Sequence, residues 1–139
     1  MAYVEELIRS EGDGSFSFGN PSLDKKSKVD GFSHGGDSYK VKTYDEITKL
    51  EKNGMFLYES VPGTCVNNMS IAADSVEFTV SGEEDAQITL GLEDGALYTV
   101  EVNGSSLGTM KTNMSGKLSL SVELNKGEEV PVKIVKSNG

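Results

Sequence analysis

The sequence predicts an all-β, mostly antiparallel fold, and three observations point to it. Apolar and polar residues alternate along 117–124 and again along 130–134, the pattern of strands with one buried and one exposed face. Stretches of this kind recur about every ten residues in the second half of the chain, the spacing typical of sandwiches and barrels. Glycine is abundant, at 16 of 139 residues, as expected where turns join many short strands.

The C-terminal half predicts an Ig-like β-sandwich. The turn signal at 125–127 suggests that 117–135 is a hairpin with one buried and one wet face. Asn103 and Gly104 give the strongest hairpin signal, because a type I′ turn needs positive φ at both central residues. The predicted strands of this half are 76–80, 86–92, 98–102, 107–112, 117–124 and 130–134.

The N-terminal half predicts shorter and less regular strands. They are 4–9, 15–18, 28–32, 39–43 and 55–61. Segment 43–51 leaves two alternatives, since Thr43 and Glu46 fit the capping box of a helix. Asn53 and Gly54, directly before an apolar strand, favour a hairpin instead, and we predict the hairpin.

A domain boundary is predicted near Pro62. Proline cannot donate to a strand ladder, and the following Gly63 favours a turn. We therefore predict an N-terminal β unit at 1–66 and a C-terminal β-sandwich-like unit at 67–139. Each is near the lower size limit for an independent core, so we expect them to pack together. A single larger sandwich is the alternative.

Composition restricts the classes of partner. The formal net charge is −9 and Arg9 is the single arginine, so we expect no nucleic-acid partner and no membrane-binding face.

Cys65 is the single cysteine, which excludes an internal disulfide and is compatible with the cytoplasm. Residues 1–6 are acidic and lack the apolar core of a signal peptide. These features leave the compartment undetermined.

The single histidine suggests one catalytic arrangement. His34 could form a triad with Asp37 and either Ser33 or Ser38. Nucleophilic catalysis needs the base held rigidly, whereas His34 lies in the glycine-rich segment 31–36. A solvated loop histidine is therefore the favoured interpretation.

Other reactive groups are equally sparse. Cys65 could act as a nucleophile with His34 as its base, but we expect a small, partly buried side chain. The acidic turns at 11–14 and 83–85 lack the residue order of a known calcium loop. We accordingly predict no catalytic residue, no metal and no cofactor.

Two aromatic residues are candidates for binding a sugar. The sequence has no tryptophan, and most phenylalanine and tyrosine residues fall at predicted core positions. Phe32 and Tyr44 are the exceptions, and we predict them as glycan-binding residues. Lys40 and Lys42 are predicted to face outward and to guard a sheet edge against strand addition.

Parts of the sequence resemble known families. Segments 39–43, 47–54 and 58–64 resemble small proteins of gut clostridia that are labelled endosialidase, and this likeness covers most of the chain. Segments 98–104 and 112–122 are similar to terminal β-sandwich modules of bacterial polysaccharide enzymes. The first resemblance implies a family of small β proteins.

Sialidase activity itself is not expected from this resemblance. Sialidases hold the sialate carboxylate with several arginines, whereas this chain has one. The Asp-box motif ending in Thr-Trp cannot occur without tryptophan, and the chain is too short for a propeller.

Three functions follow from these observations, in order of preference. The first is a non-catalytic structural or adaptor β-module that binds a protein partner or a second copy of itself. The second is a carbohydrate-binding module that uses Phe32 and Tyr44. The third is a hydrolase.

Overall fold

Alternating burial along the strands produces two antiparallel sheets packed face to face. The computed structural model describes residues 3–137, and no helix occurs in that range. The predicted all-β, mostly antiparallel sandwich is confirmed, whereas the Ig-like type stays a prediction. The strands are β1 Ile8–Ser10, β2 Phe16–Phe18, β3 Ser27–His34, β4 Asp37–Thr43, β5 Thr48–Lys52, β6 Met55–Val61, β7 Cys65–Ile71, β8 Ser75–Ser81, β9 Ala86–Gly91, β10 Leu97–Val102, β11 Ser105–Lys111, β12 Lys117–Val122 and β13 Val130–Lys136.

The strand order places both halves of the chain in both sheets. The seven-stranded sheet has the order β1-β2-β7-β8-β13-β10-β11, and the six-stranded sheet the order β12-β9-β6-β5-β4-β3. Strand β2 pairs with β7 and β6 with β9, across the predicted boundary at 66/67. Residues 3–66 and 67–137 therefore do not form separate sheets, and one cluster of buried apolar side chains draws on both ranges.

The described range does not reach either end of the chain. Met1 and Ala2 lie outside the described residues. They are the first residues of the predicted N-terminal unit, 1–66, and of the acidic segment 1–6. Asn138 and Gly139, at the end of the predicted C-terminal unit, also lie outside them. Within residues 3–137, no helix is long and apolar enough to cross a membrane.

The hairpin predicted for 117–135 is wrong. Strand β12 pairs with β9 at the edge of the six-stranded sheet, whereas β13 lies between β8 and β10 in the other sheet. The connection after Val122 thus crosses from one sheet to the other. Alternation identifies the buried face of each strand, and strands of both sheets bury such a face.

Two other turn predictions are confirmed. Asn103 and Gly104 join β10 to β11, with φ values of 53° and 81°. Asn53 and Gly54 join β5 to β6 with φ values of 53° and 79°, so the hairpin alternative for 43–51 is correct.

Strand β7 was not predicted, because the polar Asn67 and Asn68 suggested a boundary. Its pairing with β8 shifts register just there, and Asn68 has a positive φ of 54°.

Candidate functional site

Tyr44 lies on the wall of a large cavity in the described part of the chain. The cavity has a volume of about 800 Å³ and is formed by the loop after β4 and the connection between β6 and β7. The tyrosine is partly exposed there. The other lining residues include apolar and acidic side chains: Pro21, Asp45, Glu46, Ile47, Val61, Pro62, Gly63, Glu83 and Glu84.

Backbone contacts hold the two loops of this cavity together. The Gly63 N–H donates to the Asp45 carbonyl at 3.0 Å, and the Tyr44 N–H donates to the Ile47 carbonyl at 3.0 Å. A Cβ atom on Gly63 would collide with the Tyr44 carbonyl oxygen, so the close approach of the loops requires glycine here. The cavity wall beside Tyr44 is thus defined by main-chain packing.

A buried network of hydroxyl groups supports these loops from below. Thr48 Oγ1 donates to the Thr64 carbonyl at 2.9 Å and accepts from the Thr64 N–H at 3.1 Å. It also bonds Thr43 Oγ1 at 2.8 Å. Thr64 Oγ1 in turn bonds Tyr58 Oη and Ser60 Oγ, each at 2.7 Å. All five residues have zero exposure, so the start of β7 is tied to β4, β5 and β6 without water.

The chemistry of the cavity suits neutral hydroxyl-bearing ligands. Tyr44 Oη donates to Glu46 Oε2 at 2.9 Å, and this bond, with the nearby carboxylates, raises the pKa of Tyr44. An aromatic face beside carboxylate acceptors can stack on a sugar ring and accept its hydroxyl protons. Among residues 3–137 no group of three or more His, Cys, Asp or Glu side chains is placed to hold a metal ion.

The second predicted glycan-binding residue lies elsewhere. Phe32 is in β3 opposite Tyr39 and is partly buried against the core. Tyr44 follows the other end of β4, five residues beyond Tyr39, about 16 Å along the strand. The two rings therefore do not form a common platform.

The histidine triad that the sequence analysis considered and disfavoured is not assembled. His34 Nε2 lies 3.0 Å from the Gly14 carbonyl, which can only accept, and Nδ1 lies 2.7 Å from Ser10 Oγ. Both ring nitrogens are thus engaged by the β1–β2 region. Asp37 instead bonds Asn53 and pairs with Lys52. His34 links the β3 edge of one sheet to the β1 edge of the other, which sequence alone did not indicate.

Cys65 is not paired with His34 either. The thiol is fully buried at the start of β7, and its Sγ accepts from Asn67 Nδ2 at 3.8 Å. Burial raises the pKa of Cys65 to about 11. The nucleophilic thiolate is therefore scarce at neutral pH. The burial of the thiol agrees with the interpretation of Cys65 from the sequence as a small side chain of the protein interior.

The four sheet edges differ in how they are protected. Strand β1 has three residues, and β3 carries a register shift with Gly31 at positive φ. Strand β11 itself is bulged at Leu107, opposite Val100 and Glu101 of β10, and contains Gly108 at positive φ. Strand β12, in contrast, pairs with β9 over six consecutive residues without a shift. Edge strands in natural proteins are usually protected from further pairing because they are short, bulged or charged. Strand β12 is neither short nor bulged.

The outward backbone groups of β12 are open to a partner. Leu92 N–H donates to the Gly116 carbonyl, which places the even-numbered residues of β12 in the hydrogen-bonded pairs with β9. The N–H and C=O groups of Ser119 and Ser121 then point away from the sheet. Both serines are exposed, and no backbone group in the described range bonds theirs on this side, whereas the Lys117 carbonyl at the start of the strand accepts from the Asn113 N–H at 3.0 Å.

Lys40 and Lys42 do not guard an edge. Their strand, β4, lies between β3 and β5, so the predicted role in blocking strand addition is wrong. The pattern correctly indicated that both side chains point to the outer face, but strand order decides which strands are edges. The exposed β12 edge was missed because its sequence suggested a hairpin partner.

Comparisons of the chain with family models, with curated proteins and with solved structures give no match. Any function for this protein therefore has to be argued from its own geometry.

Proposed function

We propose that the protein is a non-catalytic β-module that binds a protein partner by strand addition at β12. In this mode an extended segment of the partner pairs with a free sheet edge through main-chain hydrogen bonds. The single observation that carries the proposal is the regular β12 edge, on which the outward backbone groups of Ser119 and Ser121 are exposed and unpaired, in a sandwich whose other edges are short, irregular or bridged.

The side chains of β12 support this use of the edge. Leu118, Leu120 and Val122 are buried in the core, which fixes the strand and its register before any partner arrives. Ser119 and Ser121 are small and uncharged, so no side chain on the outer face of these positions obstructs an incoming strand. Because this edge is already ordered, the conformational entropy lost on association is mainly that of the partner segment.

Ser119→Pro is expected to weaken partner binding strongly while leaving the fold intact. Proline removes the outward N–H of residue 119, which no strand of the sandwich uses, and it obstructs an incoming backbone. Partners are captured from lysate of the native cell on immobilised chain, identified, purified and titrated by calorimetry. We expect at least about a tenfold loss of affinity, or about 1.4 kcal/mol.

Ser119→Ala is the matched control for this measurement. It also removes the hydroxyl that bonds Thr89 Oγ1 at 3.1 Å but keeps the backbone donor, so its affinity should equal that of the wild type. Equal binding by Ser119→Pro and wild type would contradict strand addition at β12. Sedimentation velocity on the same variants tests whether the partner strand comes from a second copy.

A second candidate function is carbohydrate binding at the Tyr44 cavity. The observation that favours it is the partly exposed Tyr44 ring beside four carboxylates around an 800 Å³ cavity. This site would use Tyr44 without Phe32, since the two rings lie at opposite ends of β4.

Tyr44→Ala distinguishes this function from strand addition. If the cavity binds a sugar, a glycan array followed by calorimetry should give a ligand whose affinity falls about tenfold or more in Tyr44→Ala. Tyr44→Phe keeps the stacking face and removes the hydroxyl bonded to Glu46, so it should retain most of the affinity. A glycan bound equally by Tyr44→Ala and wild type would exclude this cavity.

A further inference from the structure

Four lysines from three neighbouring strands share the outer face of the six-stranded sheet. Strand register places Lys28 directly opposite Lys42, and Lys42 directly opposite Lys49. Together with Lys40 and Glu51 they line a shallow depression of about 90 Å³. This group of four lysines is called the lysine cluster below.

The lysine cluster is electrostatically unfavourable as it stands. Like charges directly opposite each other on paired strands destabilise a sheet. Two acidic residues lie opposite members of the cluster, Glu51 opposite Lys40 and Glu59 opposite Lys49. Neither forms an ion pair with a lysine, and within residues 3–137 no ion pair involves any member of the cluster, in contrast to the Lys133–Glu77 pair at 3.8 Å.

The surroundings make this concentration of positive charge more pronounced. The whole chain has 13 basic residues against 22 acidic ones, and four of the basic residues belong to the cluster. Lys49 is further oriented by the Phe56 ring, whose centroid lies 5.9 Å from Nζ. The outer face of β3, β4 and β5 is therefore a local positive region on an acidic protein.

We propose that the lysine cluster binds a compact tetrahedral oxyanion, a sulfate or phosphate group that is either free or carried as a monoester. Each lysine ammonium is a point charge with three donors, which suits oxygens that point in several directions. A planar carboxylate is better held by arginine, and Arg9, the single arginine of the chain, pairs with Glu6 and Glu11.

Size and charge restrict the ligand to one such group. The depression has room for a single small oxyanion, and Glu51 on its wall repels further negative charge. The net charge of −9 opposes the approach of a long polyanion such as a nucleic acid. The cluster is on β3, β4 and β5, whereas β12 is at the opposite edge of the same sheet, so this inference is independent of strand addition.

The test follows the lysine side-chain signals by NMR in protein labelled at lysine. Sodium sulfate, sodium phosphate and glucose 6-sulfate are titrated separately, with sodium chloride at matched ionic strength and glucose as controls. We expect saturable shifts confined to the signals of Lys28, Lys40, Lys42 and Lys49. Saturation by the inorganic ions alone identifies a free anion as ligand, and tighter saturation by glucose 6-sulfate identifies an ester.

Substitutions complete the experiment. Lys42→Gln removes the central charge of the row and should weaken sulfate binding about tenfold or more. Lys111→Gln removes an exposed lysine from β11 in the other sheet and should leave binding unchanged. Thermal unfolding of each variant establishes that it is folded. Shifts that chloride reproduces, or that Lys42→Gln leaves unaltered, would overturn the proposal.

Discussion

Tyr58→Ala is expected to lower the free energy of unfolding by about 4 kcal/mol, enough to unfold a marginal domain. Tyr58 has zero exposure in β6, in the middle of the six-stranded sheet. Its ring meets Phe18 and Phe78 of the opposite sheet edge-on, with centroid distances of 5.2 and 5.8 Å. Alanine would leave a cavity between the sheets and remove both aromatic contacts.

Urea unfolding followed by circular dichroism measures this effect. Tyr58→Phe is the matched variant, because it keeps the ring and removes the hydroxyl that bonds Thr64 Oγ1. We expect it to cost about 1 kcal/mol, since Thr64 Oγ1 keeps its bond to Ser60. If the alanine variant were no less stable than the phenylalanine variant, the ring would not connect the sheets as described.

Thr48→Val is expected to cost about 3 kcal/mol although it preserves the shape of the side chain. The Thr48 hydroxyl satisfies the N–H and the C=O of Thr64, and it accepts from Thr43. Valine leaves the Thr64 N–H and C=O without this partner, whereas Thr43 Oγ1 still accepts from the Asn20 N–H at 2.9 Å. Each unsatisfied group costs roughly 1–3 kcal/mol, partly recovered by relaxation.

Thr89→Val provides the comparison for this prediction. Thr89 is also a strand threonine of the six-stranded sheet, but its hydroxyl bonds Ser119 on the solvent side, where water can replace it. We expect its free energy of unfolding to change by less than about 0.5 kcal/mol. Both free energies of unfolding are measured by urea unfolding. If Thr48→Val and Thr89→Val lowered them equally, the buried network would contribute no more stability than an exposed hydroxyl bond.

Local signals account for much of the fold. The type I′ signals at Asn53–Gly54 and Asn103–Gly104 correctly located two hairpins, because positive φ at both residues is a local property of the chain. Strand β7 was not recognised, since its polar residues Asn67 and Asn68 coincide with an irregularity in its ladder. A pattern that depends on strict alternation cannot detect a strand whose register shifts.

The candidate sites were less predictable than the strands. Tyr44 was identified because its ring falls outside the predicted core, and it does line a cavity of about 800 Å³. The carboxylates Glu83 and Glu84 that complete this cavity are about forty residues away in sequence and were interpreted as a solvated turn. The lysine cluster was not predictable for the same reason. Lys28 and Lys49 are distant from Lys42 or on other strands, and they become its neighbours through strand pairing.

The sequence by itself determined which residues are buried and that they form strands, because side-chain direction alternates with each residue and apolar burial drives the pattern. Apart from the two hairpins that Asn–Gly turns located, tertiary structure alone decided which strands pair, and thus that β12 is an exposed edge while β13 is central. The physical reason is that alternation fixes a face for every strand but gives no preference for one of two similar apolar sheets. That choice depends on packing between residues far apart in the chain.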